Sequence, residues 1–460
     1  MRTAVDHFYE PSAYAEAAIG TTGSGHTAVL DRPAVAPAAR YDVAIVGLGY
    51  VGLPTAVSLH AGGRRVLGLD ISRSRLAAIH DGAVDLLDED RERLDRALAD
   101  TDGFRLDHDA SGLADASAVL ICVPTPVDEH LVPDLDALRA ACESVVRHAR
   151  PGQTLMLTST TYVGCTHDLL VRPLRTRGLT VGEDVFVAFA PERIDPGNDR
   201  HTQRTVPRVV GGVTHRCAER AVETLRGCAS RLHVVRDAET AEMTKLYENT
   251  FRAVNISLAN EFADISRTLG LDIAEVIDAA ATKPYGFMAF YPGPGVGGHC
   301  IPCDPHYLLW QLRASRVPAP VIEAAMAAVA HRPRRVAQRA LELLAKGQGT
   351  GAGSAASPRV LVVGVAYKPG VSDVRESPAL EIVERLTDAG VLVSFVDERI
   401  PSITVRGERY DRVERPGETR WDLVIVHGVH PETDLDWLRD QPAVLDTTYR
   451  LIDIPWRELL

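Results

Sequence analysis

The chain has 460 residues, 24% of them charged and 45% in the hydrophobic set, which excludes global disorder and provides for a sizeable core. At roughly 100–200 residues per domain, it holds about two to four domains. The 62 acidic side chains against 50 basic ones leave a net charge of −12, the wrong sign for a general nucleic-acid binder but compatible with a local basic pocket for a phosphorylated small molecule. The seven cysteines are an odd number scattered over the chain, which argues against a disulfide framework and for a reducing setting, the cytoplasm. No apolar run follows Arg2, so no secretory leader is expected. Residues 43–63 carry no Asp, Glu, Lys or Arg, but Gly47, Gly49, Gly52 and Pro54 divide them into strand, loop and helix, so no membrane span is expected either.

Residues 1–40, rich in Ala, Gly and Thr, read as a mobile tail. An alternation begins at Tyr41. Residues 42–46 read as a buried strand, 54–61 as the start of a helix, 65–69 as a strand ending at Asp70, 76–81 as helix, and 118–123, 154–157 and 185–189 as further strands. Such alternation predicts a parallel α/β sheet over 41–237. From 238 to 269 the period changes. Met243, Leu246, Phe251, Val254, Leu258 and Phe262 recur at helical steps and predict one long helix. With helices at 273–281, 305–313 and 320–345 it makes a central helical region, 238–345. Residues 346–358, rich in Gly, Ala and Ser, read as a flexible loop. A second unit follows over 359–460: a strand at 360–363 before Gly364, a helix at 377–389, a strand at 391–396 ending at Asp397, and strands at 422–426 and 443–445. The expected fold class is α/β, two Rossmann-like doubly wound domains joined by a central helical region with a long helix.

Five stretches carry candidate chemistry. Gly47-Leu48-Gly49-Tyr50-Val51-Gly52 follows a strand and opens a helix, and Asp70 ends the next strand. That context is a dinucleotide fingerprint: glycines let the backbone approach a pyrophosphate, and the acid accepts from ribose hydroxyls, favouring NAD over NADP. A tight turn in a nucleotide-free sheet is the alternative. Cys300 lies in a run with Gly293, Gly295, Gly297 and Gly298, just before Asp304-Pro305, whose types suit the start of a helix. A thiol ahead of a helix N-terminus is a candidate nucleophile. A buried structural cysteine, a redox pair with Cys303, and half of a zinc site with His299 or His306 are the competing readings; for the last, no second cysteine pair closes a tetrahedron, and no metal is expected.

Glu242, Lys245, Asn249 and Arg252 share one stripe of the long helix. This is either a solvated ion-pair face or, if the helix is mostly buried, a site for Lys245 as acid/base or oxyanion partner. Pro191-Glu192-Arg193-Ile194-Asp195 follows a strand, at the sheet edge where such folds bind ligands, or is a plain turn. Tyr367, Lys368, Asp373 and Arg375 follow the first strand of the second unit; the two cations suit phosphates or carboxylates, and Ser377-Pro378 reads as a helix cap.

Taken together with Cys122-Val-Pro124-Thr125-Pro126, Ser159-Thr160 and Gly297-Gly-His-Cys300, these motifs resemble the UDP-glucose/GDP-mannose dehydrogenase family, in its order and over residues 41–450. The resemblance implies an NAD-dependent four-electron oxidation of the C6 alcohol of a UDP-sugar. Cys300 would be the nucleophile, with Lys245, Asn249, Asp304 and Glu192 as its catalytic partners. It implies a cofactor site of Gly47, Gly49, Tyr50, Val51, Gly52, Asp70, Arg75, Pro124, Thr125 and Thr160. Arg193, Ile194, Arg252, Gly297, Tyr367, Lys368 and Arg375 would meet the sugar nucleotide, and two copies would pair through the central helix as a homodimer. The stretch 282–302 looks most like the UDP-N-acetylglucosamine branch; Pro284 and Gly286 stand where the mannosamine branch has His and Arg. Thr448 stands where the family often has an Arg. A two-electron hydroxyacid-type dehydrogenase would leave Cys300 and the second α/β unit unexplained, and a non-enzymatic sensor would leave the Cys, Lys, Asn and Asp set unexplained.

Overall fold

The computed structural model describes residues 39–84, 86, 88–193, 205–348, 357–454 and 456–460. The first α/β domain runs β1 (Tyr41–Val46), α1 (Gly52–Ala61), β2 (Val66–Leu69), α2 (Arg73–His80), α3 (Asp88–Ala99), β3 (Phe104–Asp107), β4 (Ala116–Ile121), α4 (Asp136–His148), β5 (Thr154–Leu157), α5 (Arg172–Thr176), β6 (Phe186–Phe189), β7 (Arg208–Gly212), α6 (His215–Leu225) and β8 (Leu232–Val235). Its sheet has the order β3-β2-β1-β4-β5-β6-β7-β8. Val43 pairs with Val66 on one side and Ala118 on the other, so the strand order reverses at β1, opening a crevice between the C-terminal ends of β1 and β4. The strands in the middle are buried on both faces and read accordingly as runs of Val, Ile, Leu and Ala. The pairing is parallel except between β6 and β7. The expected all-parallel sheet fails there, and β7 and β8 have no counterpart among the predicted strands. One ends in Gly211-Gly212, and the other is only half buried, so neither shows a strong apolar run.

The central region comprises α7 (Ala238–Leu269), α8 (Ile273–Ala281), α9 (Asp304–Ser315) and α10 (Pro320–Gln348). Helix α7 starts where the Asp237 carboxylate accepts from Thr240 N and stops at Gly270, whose φ of +72° takes the left-handed conformation. Its amphipathicity is inverted. Glu242, Lys245 and Asn249 face inward, whereas Met243, Tyr247, Phe251, Leu258, Phe262 and Ile265 are exposed. Of the apolar residues that predicted the helix, Leu246 alone is fully buried. The period was right and the buried face was not, because periodicity reports a stripe without saying what covers it. Helix α10 extends through Gln348, so residues 346–348 are helical rather than loop; the rest of the predicted linker, except 357 and 358, lies outside the described residues, as does nearly all of the predicted tail.

The second α/β domain runs β9 (Arg359–Val363), α11 (Pro378–Asp388), β10 (Leu392–Val396), the hairpin β11 (Ser402–Val405) and β12 (Glu408–Asp411), β13 (Leu423–Val426), β14 (Val444–Asp446) and β15 (Glu458–Leu459). Its five-stranded sheet is parallel, in the order β10-β9-β13-β14-β15. The cap expected at 377–378 is present: Ser377 Oγ accepts from Ala379 N and donates to the Val365 carbonyl. Among the described residues no helix is long and apolar enough to cross a membrane.

Candidate active site

The first glycine turn is built for a ligand. Gly47 has φ +90°, and a Cβ there would lie 2.7 Å from the Cys122 carbonyl oxygen; at Gly52 it would meet the Gly47 oxygen at 1.8 Å. A Cβ on Gly49 would meet nothing within 4 Å, so the turn is open at its middle. Asp70 accepts from Leu48 N and Ser72 N, both at 2.9 Å, one on each carboxylate oxygen, which leaves lone pairs on both for a ribose diol. Arg75 Nε donates to the Leu48 carbonyl at 3.0 Å and buttresses the turn from below.

Lys245, Asn249 and Asp304 come together although Asp304 lies far along the chain. All three are buried. Asn249 Nδ2 donates to Asp304 Oδ2, and Thr160 also bonds the carboxyl. Burial pushes the Asp304 carboxyl up to about 6, against the pull of the Lys245 charge and the bonds from Asn249 and Thr160. The sequence suggested Asp304 as the cap of α9. In the structure Cys303 holds that position without a side-chain cap, and Asp304 is the first helical residue with its carboxylate turned to α7. The competing reading of the polar stripe as a solvated face is therefore wrong: tertiary packing encloses it.

Thr160 is held by its own loop. Gln311 on α9 bonds both the N–H and the carbonyl of Val163, and the Glu242 carboxylate accepts from Gly164 N, Thr166 N and Thr166 Oγ1. Burial pushes Glu242 up to about 7, despite those three donors. Sequence reasoning placed Glu242 on the stripe without a role. Its role here is to tie α7 to the loop after β5.

Cys300 is exposed, and the other six cysteines are buried thiols. Its carbonyl accepts from Cys303 N and Asp304 N, so the residue sits in the turn that opens α9. Burial pushes the Cys303 thiol up to about 12, making it a poor attacking group at neutral pH. The glycine loop before Cys300 lies on the second α/β domain. A Cβ on Gly297 would approach the Glu376 carbonyl oxygen to 2.6 Å, and one on Gly298 would approach the Tyr367 ring to 2.8 Å. Arg375, bidentate on Asp373, stacks over the Tyr50 ring at 5.0 Å and so reaches the first glycine turn of the first domain.

Three family models match this chain in succession: the NAD binding domain over residues 41–227, the central domain over 239–329 and the UDP binding domain over 361–452. The chain belongs to the UDP-glucose/GDP-mannose dehydrogenase family. It is 33% identical over 423 residues to the NDP-N-acetyl-D-galactosaminuronic acid dehydrogenase of Ralstonia nicotianae, covering 88% of this chain and 95% of that one. It is also 33% identical over 393 residues to the UDP-N-acetyl-D-glucosamine 6-dehydrogenase of Pseudomonas aeruginosa, covering 85% and 90%. The solved UDP-D-ManNAc dehydrogenase of Pyrococcus horikoshii superposes with a TM-score of 0.79 at 31% identity, covering 88% of this chain and 95% of that one.

As a member of the UDP-glucose/GDP-mannose dehydrogenase family the chain is an NAD-dependent oxidoreductase. The first glycine turn fits the dinucleotide: the closely packed glycines at 47 and 52 flank the open one at 49, above the two-lobed Asp70 acceptor. Pro124 and Thr125 follow β4 on the other side of the same crevice, and Val51 precedes α1. Other family matches have local partners. Arg193 pairs with Glu248 on α7, with Nε 3.2 Å from Oε2, and donates to the Pro207 carbonyl at 2.8 Å. Glu192 is buried 3.5 Å from Arg208 and accepts from Arg193 N. Arg252 lies half-buried on α7, and Lys368 lies beside Tyr367 in the loop after β9. Ile194 falls outside the described residues. Asp397, Glu398 and His430 cluster closely enough to suggest a metal site. However, His430 Nδ1 accepts from Gly370 N and its Nε2 faces Asp397 Oδ1 at 3.2 Å, leaving no ring lone pair for an ion.

Proposed function

We propose that the chain oxidises the C6 hydroxyl of a UDP-hexose to the uronate in two successive hydride removals, with UDP-N-acetylglucosamine as the substrate. The observation that carries this reading is the buried Lys245–Asn249–Asp304 cluster beside the turn holding an exposed Cys300, with Thr160 of the loop after β5 bonded to the Asp304 carboxyl. A two-electron alcohol oxidation needs an acid/base and an acceptor; it needs no nucleophilic thiol on a glycine-rich loop.

NAD⁺, when bound, accepts the hydride in each oxidation. The chain's own groups do the remainder. Asp304 takes the hydroxyl proton as the aldehyde forms, and the Lys245 charge steadies the alkoxide on the way. The Cys300 thiolate adds to the aldehyde carbon, and the resulting hemithioacetal oxygen develops negative charge beside Lys245 and Asn249. Loss of the second hydride leaves a thioester on Cys300, which water cleaves to the carboxylate and the thiol. Asp304, with its carboxyl raised to about 6, is ionised at neutral pH and receives a proton more readily than an exposed aspartate does.

Support for the N-acetylglucosamine substrate is the composition of 282–302, with Pro284 and Gly286 in place of the mannosamine branch's His and Arg. Relatives named for different sugars stand at equal identity, so the sugar is tested directly. A panel of UDP- and GDP-hexoses is assayed for NADH formed per sugar at completion. Two NADH from UDP-N-acetylglucosamine, and slower turnover of its epimers, is expected. One NADH per sugar overturns the four-electron scheme, and preference for an epimer overturns the substrate. The enzyme works as a homodimer in the cytoplasm, with the outward stripe of Tyr247, Leu258, Phe262 and Ile265 on α7 packed on a second copy. Sedimentation of the parent and of Phe262→Glu tests this; a monomeric parent refutes it.

A further inference from the structure

The glycine loop ending at Cys300 is anchored at its first residue by side chains that lie outside every motif named above. Gly293 N donates to Asn260 Oδ1 on α7 at 2.9 Å. The Gly293 carbonyl accepts from Arg332 Nε on α10, also at 2.9 Å. Arg332 is only 4% exposed. Its remaining nitrogens reach Asp264 Oδ1 at 3.2 Å, the Asn260 carbonyl at 3.5 Å and the Tyr449 hydroxyl at 3.4 Å. Tyr449 follows β14, and its hydroxyl donates to the Leu460 carbonyl. One guanidinium thus joins α7, α10, the glycine loop and the second α/β domain.

The sequence around it shows how unusual the choice is. Arg332 lies in phase with Val329 and Val336, both buried on the inner face of α10. An unbranched apolar side chain would fill that position without desolvating a charge. The guanidinium is tolerated because Asp264 balances it and its fork bonds several acceptors at once. A loop with glycine at 293, 295, 297 and 298 loses more backbone entropy on ordering than other sequences do, and has no ladder of its own to hold it. Beyond the anchor it rests on the second domain, where a Cβ on Gly295 would come within 2.8 Å of Pro378.

We propose that Arg332, together with Asn260, is a positioning residue for the catalytic loop: the pair grips Gly293 at its carbonyl and its N–H, so that Gly297 and Gly298, just ahead of Cys300, lie against Tyr367 of the UDP binding domain. The catalytic consequence rests on the reading of Cys300 given above; the order of the loop does not.

The test compares the parent with Arg332→Met, Asn260→Ala and Arg332→Lys by hydrogen exchange and steady-state kinetics with NAD⁺ and the sugar nucleotide. In Arg332→Met and Asn260→Ala, amides of residues 293–299 exchange at least about tenfold faster, while those of β1, β4 and β9 keep the parent rates. The value of kcat falls roughly tenfold to a hundredfold with KM for NAD⁺ unchanged. Arg332→Lys recovers part of both, because an ammonium still reaches one carbonyl. Unchanged loop exchange in both variants overturns the proposal. So does acceleration spread equally over β1 and β9, which would mean simple destabilisation. Should Arg332→Met fail to fold, Asn260→Ala decides alone. A parent that oxidises no sugar nucleotide, with loop exchange still set by Arg332 and Asn260, would refute the proposed function and leave the anchor standing.

Discussion

In the first α/β domain β1 is followed by Gly47, φ +90°, tucked against the Cys122 carbonyl beyond β4; in the second, β9 is followed by Gly364, φ +77°, tucked against the Gly428 carbonyl beyond β13. Each turn is followed by a strand that ends in an aspartate. The two aspartates behave differently. Asp70 is partly exposed and accepts two backbone N–H groups. Asp397 is 1% exposed and accepts from Val365, Ala366, Arg399 and Ile400 N–H groups and faces His430. Burial opposes its ionisation, but His430 and these donors together hold its carboxyl below the usual range. One local fold therefore serves as an open cradle in the first domain and as a closed joint in the second. In the second domain the proposed ligand groups lie instead on the loop of Tyr367, Lys368 and Arg375, whose Tyr367 packs against the glycine loop that ends at Cys300.

The largest effect is expected where the two domains meet: Cys300→Ser should lower uronate formation by roughly a thousandfold or more. Product analysis after prolonged incubation checks this, and undiminished full oxidation would remove the thiol from the scheme. Asp397→Ala should cost about 3–5 kcal/mol of stability, because several buried N–H groups lose their shared acceptor; urea unfolding measures it. Asp304→Asn should reduce kcat by roughly thirtyfold and flatten the acid limb of the kcat profile, which in the parent falls off below a pH of about 6 as the carboxylate protonates. The linked stability has the opposite sense. A folded pKa raised from 3.8 to about 6 means that the native state binds the proton more tightly, so ionising Asp304 lowers stability as pH climbs from about 4 to about 6. Asp304→Asn should remove that slope. The smallest effect is at the open cradle: Asp70→Ala should raise KM for NAD⁺ about tenfold while costing about 1 kcal/mol of stability. Equal stability losses at positions 70 and 397 would erase the distinction between cradle and joint.

The strand–glycine–helix pattern at 42–54 and the thiol among glycines at 293–300 were legible because their chemistry is local: a left-handed φ, a close backbone approach and a cap each need a particular residue type nearby. Ser377 illustrates this, capping α11 as its type predicts. Asp304 illustrates the limit. Its local chemistry pointed equally well to a cap, and only packing across to α7 set it on Asn249. Arg332 left one faint trace, a cation in phase with an apolar stripe, which sequence reasoning passed over.

The sequence by itself determined the order of α/β, helical and α/β segments, the length of the long helix, and the glycine turn with its aspartate and the thiol set among glycines, since these depend on periodicity and on contacts within a few residues. Tertiary structure alone decided which face of α7 is inside, which aspartate stays open to a ligand, and what grips the loop that ends at Cys300. Those outcomes depend on groups far apart in the chain, brought together by burial, and no local pattern encodes what will cover a surface.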